Sequence, residues 1–236
     1  MHFYPFGFNT KNLPPSNSPV IISGLQGWYD STKILSSGGF VDQLTDQSGN
    51  NRHLTQVSTA RPAVNASGRN GNQTILFDGI SHILNGSVVP ITNEYTWIFV
   101  TNLVTRPAGT RSPFSNGNSS TGFSYRIGTS NDRSNVHNGA GVMGDGILTL
   151  NSWECVSIQR SSSPLATMKV NNSSVSLLNN NLASLLTPSG NLSLGGRAGA
   201  EFSNINFGEL IIYNRVISDT ELDNIWNGYL KTKWGF

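Results

Sequence analysis

Helical periodicity occurs once in this chain, at its very end, and that confines nearly everything before it to β structure. From Gly24 onward the sequence runs in short apolar or alternating stretches separated by Gly, Asn, Asp, Ser and Pro. Tyr95–Val104 (YTWIFVTNLV) is dense enough in β-branched and aromatic residues to be buried on both faces. Phe123, Tyr125 and Ile127 alternate with Ser124 and Arg126, and Val156 and Ile158 alternate with Ser157 and Gln159. Ile75–Phe77 runs into the turn pair Asp78-Gly79, Met168 and Val170 precede Asn171-Asn172, and Leu192 and Leu194 precede Gly195-Gly196. Glu209–Asn214 (ELIIYN) closes the series. Such a pattern predicts an all-β, antiparallel sandwich of two packed sheets.

The exception spans about 219–233. Ser218 with Glu221 three residues on forms a capping box, in which each side chain satisfies an orphan N–H of the helix start. Leu222, Ile225, Trp226, Tyr229 and Leu230 then fall on one stripe. Lys231 and Lys233 suit the C-terminal dipole, and Gly235 ends the helix. Asn227-Gly228 in its middle lowers its propensity, so the helix is expected to persist by docking on a sheet.

Composition narrows the function. Only 12% of residues are charged, where about 25% is usual, while Asn, Ser and Thr supply 77 of 236. The surface is therefore solvated largely by uncharged amides and hydroxyls. The net charge of +2 has no basic block behind it, which argues against nucleic acid as a partner. No apolar run approaches the ~18 residues needed to cross a bilayer, so no membrane span is expected. Cys155 stands alone inside a strand-like run and reads as a buried, inert thiol.

Residues 1–23 read as an extended arm before a domain of residues 24–236. Phe3, Tyr4, Phe6 and Phe8 crowd beside Pro5, Pro14, Pro15 and Pro19, a composition that neither forms a helix nor buries itself alone. The arm lacks the apolar region of a signal peptide. It either straps onto its own domain or docks on a neighbouring subunit.

Six pieces in order carry a resemblance: Trp28-Tyr29-Asp30; Asp46-Gln47-Ser48-Gly49-Asn50 running into Leu54-Thr55-Gln56; Arg61-Pro62; Phe77-Asp78-Gly79; Gly208–Arg215 with Ser218–Leu222; and Tyr229–Gly235. Together, over residues 24–235, they resemble the laminin-G-like, concanavalin A-like lectin/glucanase superfamily. The resemblance implies a jelly-roll sandwich that carries glycan or protein recognition and in some members one calcium ion. By that likeness Asp46, in its oxygen-rich loop, and Glu209, near the last strand, are the candidate calcium ligands; taken by itself the loop also reads as Asx-turns around Gly49. No other cofactor is implied.

The catalytic pattern of the glucanase branch, Glu-x-Asp-x-Glu on one strand, is missing. Its nearest imitation, Asp219-x-Glu221-x-Asp223, belongs to the helix start, where a spacing of two does not share a face. Glu154 and Glu209 are lone strand carboxylates. The four histidines are scattered with no zinc spacing. The expectation is a protein without catalysis.

Glycan recognition wants aromatic platforms with amides and guanidinium groups around a partly preformed groove. Tyr125, Arg126, Asn131, Arg133, Asn135, His137 and Arg197 are the candidates, with Asn116 and Asn118 nearby in the polar loops. The five tryptophans are assigned to the core. A helix-terminated sandwich with few charges and abundant Asn, Ser and Thr is also similar to lectin-like proteins of bacteriophage particles. The reading is thus a non-catalytic, lectin-like module of a virion, a tail-fibre or capsid decoration protein. It binds host-surface glycan and forms a homo-oligomer held to other virion subunits by the arm. A purely structural virion protein, and a secreted carbohydrate-binding module or glycan hydrolase, are the alternatives.

Overall fold

The structure is a computed structural model describing residues 18–106, 108–117, 122–128, 134–138, 141–143, 148–161, 166–177, 188–197 and 199–236, with 134–138 and 141–143 described as backbone. Residues 1–17 of the expected arm, and Asn118, Asn131 and Arg133 among the candidate residues, lie outside the described residues.

Among the described residues are sixteen strands, a 3-10 turn at Pro19–Ile21 and one C-terminal helical segment, and the named strands pair antiparallel throughout, as expected. In order they are β1 (Leu25–Ser37), β2 (Phe40–Asp46), β3 (Leu54–Thr55), β4 (Ala63–Arg69), β5 (Asn72–Asp78), β6 (Leu84–Ser87), β7 (Tyr95–Leu103) and β8 (Arg111–Asn116). There follow β9 (Phe123–Ile127), β10 (Ser134–Asn138), β11 (Gly141–Met143), β12 (Trp153–Arg160), β13 (Ala166–Val170), β14 (Ser173–Ser174), β15 (Asn191–Leu194) and β16 (Asn204–Tyr213).

Hydrogen bonding is continuous rather than split into two separate sheets. The path runs β11-β10-β9-β8-β15-β6-β3-β2-β4-β5-β16-β7-β12-β13-β14, with β1 paired to both β16 and β2. Strands β1, β2, β4, β5 and β16 thereby close a ring of five. The cause lies in β1, which is 13 residues long and shifts register between Tyr29 and Ile34 and again between Leu35 and Ser36. Its first half pairs β16 and its second half β2, so one bulged strand serves both layers.

Alternation along the central strands sorts side chains into two cores. Trp97, Phe99, Val156, Ile158, Leu210 and Ile212 face the space between the layers with Phe114, Phe123 and Tyr125. Their neighbours Ile98, Val100, Cys155, Ile211 and Tyr213 face the other way, under Leu222, Ile225, Trp226, Leu230 and Trp234 of the C-terminal helix. The phase of β16 is set by a bulge: Phe207 opposes Thr101 and Glu209 opposes Val100, leaving Gly208 unpaired between them. Ile205 and Phe207 face the inner core before the bulge, Leu210 and Ile212 after it. Glu209 is thereby turned to the helix side. A Cβ on Gly208 would lie 2.9 Å from Val100 Cγ1 and 3.2 Å from Trp234, which is why glycine occupies the bulge.

The layer without the helix carries a polar outer row. Register partners run Gln43, Thr55, Asn85, Ser193, Ser115 and Ser124 across six strands, one residue out of phase with the core positions Leu44, Leu54, Leu84, Leu194, Phe114 and Tyr125. Small hydroxyls and amides here account for part of the Asn, Ser and Thr excess.

The expected helix forms as α1 (Asp219–Ile225), a π turn (Trp226–Leu230) and α2 (Lys231–Trp234). Ser218 and Glu221 make the capping box in both directions. Leu222, Trp226, Leu230 and Trp234 are all buried at a spacing of four, which would drift by about 40° per step on a regular α-helix. The wider π turn, closed by Lys231 N–H donating to Trp226 O, absorbs that drift around Gly228. The orphan carbonyls at the end are capped from the β4–β5 turn. Arg69 donates to Trp234 O and Gly235 O, Asn70 to Thr232 O, and Asn72 to Lys233 O. The described part of the expected arm lies on the domain: Tyr213 donates its hydroxyl to Pro19 O, Arg215 binds Ser23 O, and Ile22 is buried beneath the helix.

Candidate functional site

Three connections meet at one end of the fold: β5–β6, β7–β8 and β15–β16. Between them lies an open hollow of about 230 Å³ lined by Asp78, Ile80, Thr105, Arg106, Arg111, Phe202 and Asn204, with Gly79 and Ala108. The Asp78-Gly79 turn read from the sequence forms its first wall. Asp78 accepts from the backbone N–H groups of Ile80, Ser81 and His82, each at 2.9 Å, and Gly79 takes a positive φ of 74°. Partial burial works against its charge, yet these bonds hold the Asp78 carboxyl down to about 2. Ile80 at the tip is 76% exposed, an apolar edge on an otherwise polar hollow.

The third wall follows the Gly195-Gly196 pair. Gly195 (φ 88°) passes so close to the Phe77 ring that a Cβ would clash, so only glycine lets β15 turn here. Beyond it Arg197 and Ala200 pair backbone to backbone, and Glu201 follows with φ 50°. Glu201 Oε1 accepts from Arg126 Nη2 at 2.5 Å and from Arg197 Nη2 at 2.6 Å. Its backbone carbonyl accepts from Ser112 N–H at 2.8 Å, next to Arg111 of the hollow. Arg111 in turn is the register partner of Ile127, the residue after Arg126. Cluster and hollow are therefore neighbours along the chain, with Phe202 of the hollow directly after Glu201. Burial, then the nearby Arg126, lowers the Arg197 guanidinium from its ordinary range.

Two of the candidate residues, Arg126 and Arg197, are thus brought together, by a carboxylate that sequence reasoning missed. Arg106, Arg111, Phe202 and Asn204 were missed too; a glycine turn between Arg197 and Glu201 was the available signal. Asn135 and His137 lie on β10 as register partners of Arg126 and Ser124. Tyr125 requires correction. It is fully buried among Trp97, Phe99 and Phe114, because the alternation of β9 turns it inward and Arg126 outward, so its ring is no sugar platform. Asn116 is likewise internal, bonded to both the N–H and the C=O of Val89 at 2.8 Å.

The carboxylates named for calcium are engaged elsewhere. Asp46 accepts backbone N–H bonds from Trp28, Ser48 and Arg52, which is the Asx-turn reading of that loop. Glu209 has no exposure and accepts from Trp28 Nε1, Tyr229 OH, Lys233 Nζ and Trp234 Nε1. Burial pushes its carboxyl above the ordinary range, against the pull of Lys233. Among the described residues no group of three His, Cys, Asp or Glu side chains is placed to hold a metal. Glu154 opposes Thr101 in the row that faces the inner core, whereas Glu209 faces the helix, so the two strand carboxylates point to opposite sides of one sheet. Asp219, Glu221 and Asp223 go separately to Lys169, Arg215 and Asn172.

No family model and no curated protein matches this sequence. Solved structures do. The binding domain of Paraclostridial Mosquitocidal Protein 1 superposes with a TM-score of 0.65 at 16% identity, over 87% of this chain and 52% of that one. Domain 4 of AbnA, a GH43 extracellular arabinanase from Geobacillus stearothermophilus in complex with arabinotriose, gives 0.62 at 12% identity, over 86% and 98%. What the chain shares with them is a β fold. Trypanosoma rangeli sialidase in complex with sialic acid gives 0.59 at 15% identity, over 91% of this chain. The chain spans about half of the mosquitocidal binding domain and a third of the sialidase, at 52% and 34% of their lengths. At such identities the likeness is one of fold. No helix among the described residues is long and apolar enough to cross a membrane.

Proposed function

We propose that this chain is a non-catalytic glycan-recognition module, a jelly-roll sandwich that binds saccharide at the hollow where β5–β6, β7–β8 and β15–β16 meet. The observation that carries the reading is the hollow lined by Arg111, Phe202 and Asn204, with the Arg126–Glu201–Arg197 cluster held by the same β15–β16 connection. Guanidinium forks fixed by a shared carboxylate, an adjoining amide in Asn204 and apolar edges at Ile80 and Phe202 are the chemistry that reads ring hydroxyls and covers C–H faces. The hollow is smaller than the ~300 Å³ at which enveloping clefts begin, which suits the end of a chain rather than its middle. A neighbouring fold seen with arabinotriose, and another with sialic acid, support the ligand class.

The setting we favour is a virion, as a tail-fibre or decoration protein whose aromatic arm ties copies of the chain to each other and to neighbouring subunits. Support for it is compositional: few charges, 77 Asn, Ser and Thr residues, and the Pro-rich start. A glycan array probed with the full chain tests recognition; loss of signal in Arg197→Gln at unchanged melting temperature is expected. An empty array would overturn the reading in favour of a purely structural role. Released sugar on incubation with the bound glycans would overturn its non-catalytic part.

A further inference from the structure

We propose that the chain carries a second saccharide site, a groove beside the start of the C-terminal helix that takes a neutral sugar. The proposal goes beyond the hollow and rests on the glycan-binding reading only for its ligand class. On β12 the residues in phase with Cys155, which lies under the helix, are Ser157 and Gln159. Their register partners on β13 are Lys169 and Thr167, and Lys169 is paired in turn with Ser174 of β14. Leu222 and Ile225 of α1 pack with Ile98, Val100 and Cys155, so the polar strip beyond Cys155 lies to the side of the helix. Over that strip a groove of about 480 Å³ is lined by Gln159, Thr167, Lys169 and Ser174 from the sheet and by residues 216–219 from the helix start. Its size falls within the ~300–1,000 Å³ of small-molecule sites.

The polar groups of the groove are held in place and carry no net charge. Gln159 donates Nε2 to Ile217 O at 2.5 Å, which fixes the amide against the wall and leaves Oε1 as an acceptor. Lys169 and Asp219 meet at 2.9 Å, sheet to helix, and cancel each other's charge. Thr167, Ser174 and Ser218 add exposed hydroxyls, and Val216 adds an apolar surface. A fixed amide, several hydroxyls and an apolar contact suit the hydroxyl groups and C–H face of a neutral sugar. A charged ligand would have to break the Lys169–Asp219 pair or leave its own charge uncompensated.

The groove stands apart from the hollow. Asn204, which lines the hollow, begins β16, and Tyr213 ends that strand just before Val216 of the groove. The ten extended residues of β16 put the two sites roughly 30 Å apart, beyond the reach of one trisaccharide.

Ligand-observed NMR titrations of the full chain with arabinotriose, maltotriose and chitotriose test the proposal, in the parent protein and in Arg197→Gln, the variant expected to lose binding at the hollow. At least one trisaccharide should still bind Arg197→Gln. Adding Thr167→Trp should weaken that binding by about tenfold or more at unchanged melting temperature, because an indole at this exposed strand position fills the groove. Thr167→Val, which removes only the hydroxyl, should cost about two- to tenfold. Binding that survives Arg197→Gln combined with Thr167→Trp, or that Arg197→Gln alone abolishes, overturns the groove and leaves the recognition module standing. Binding of none of the three to the parent protein overturns the groove as well, whereas only an empty glycan array overturns the module.

Discussion

Lys233 and Glu209 form an ion pair of 2.9 Å whose carboxylate has no solvent exposure at all. The same ammonium lies 2.7 Å from Asp30 Oδ2, so one helix residue compensates two carboxylates from two strands beneath it. Tyr229 and the indoles of Trp28 and Trp234 complete the shell of Glu209. Lys233→Met should therefore cost about 3–5 kcal/mol, the range for leaving an interior charge unpaired. Urea unfolding checks it, and a loss below about 1 kcal/mol would mean the pair is solvated.

Gly208→Ala puts a methyl group between Val100 and Trp234. The expected cost is about 1–3 kcal/mol, the usual penalty for overpacking. Thermal melting is the measurement, and an unchanged midpoint would show that the bulge has room to relax.

Tyr125 separates the core reading from the binding reading. Tyr125→Ala should destabilise by about 3–5 kcal/mol. Tyr125→Phe, which keeps the ring against Trp97 and Phe114, should leave glycan binding unchanged. A Phe variant that folds but loses binding would return Tyr125 to the site.

Glu221 gives stability an acid dependence. Its two bonds to the Arg215 guanidinium, then the capping bonds with Ser218, hold its carboxyl down to about 2 from its ordinary range near 4.5. A depressed carboxyl stabilises above its unfolded value, and that contribution is lost as pH falls from about 4.5 toward 2. For a partly exposed pair it amounts to about 1 kcal/mol. Glu221→Gln should flatten that part of a stability-against-pH curve, and a slope unchanged from the parent protein would remove Glu221 as its source.

Chelation is the remaining check. With Asp46 and Glu209 already engaged by backbone and side-chain donors, a chelator should leave the melting temperature where it was. A fall would show a native-state ion bound somewhere on the chain.

Much of the architecture is local and was readable from residues alone. Alternation in Phe123–Ile127 and Trp153–Arg160, the glycine turns, and the Ser218–Glu221 box each depend on neighbours a few positions apart. The Asn70-Gly71 turn, both residues at positive φ, carried a hairpin signal too, but its task of capping a helix some 160 positions away, as in the Asn70 bond to Thr232, did not.

What the sequence by itself determined is therefore the class of structure: β-strands with inward and outward faces, one capped helix, and a surface with little charge. Tertiary structure decided where charge and aromatic rings ended up. Arg126 and Arg197 are 71 positions apart in number yet share Glu201 because β8, β9 and the β15–β16 connection meet at one pole. Glu209 became a buried anchor because a single-residue bulge reversed the phase of its strand. Periodicity tells which residues point the same way along one strand; which strands become neighbours is set by long-range packing, and sites are made from neighbours.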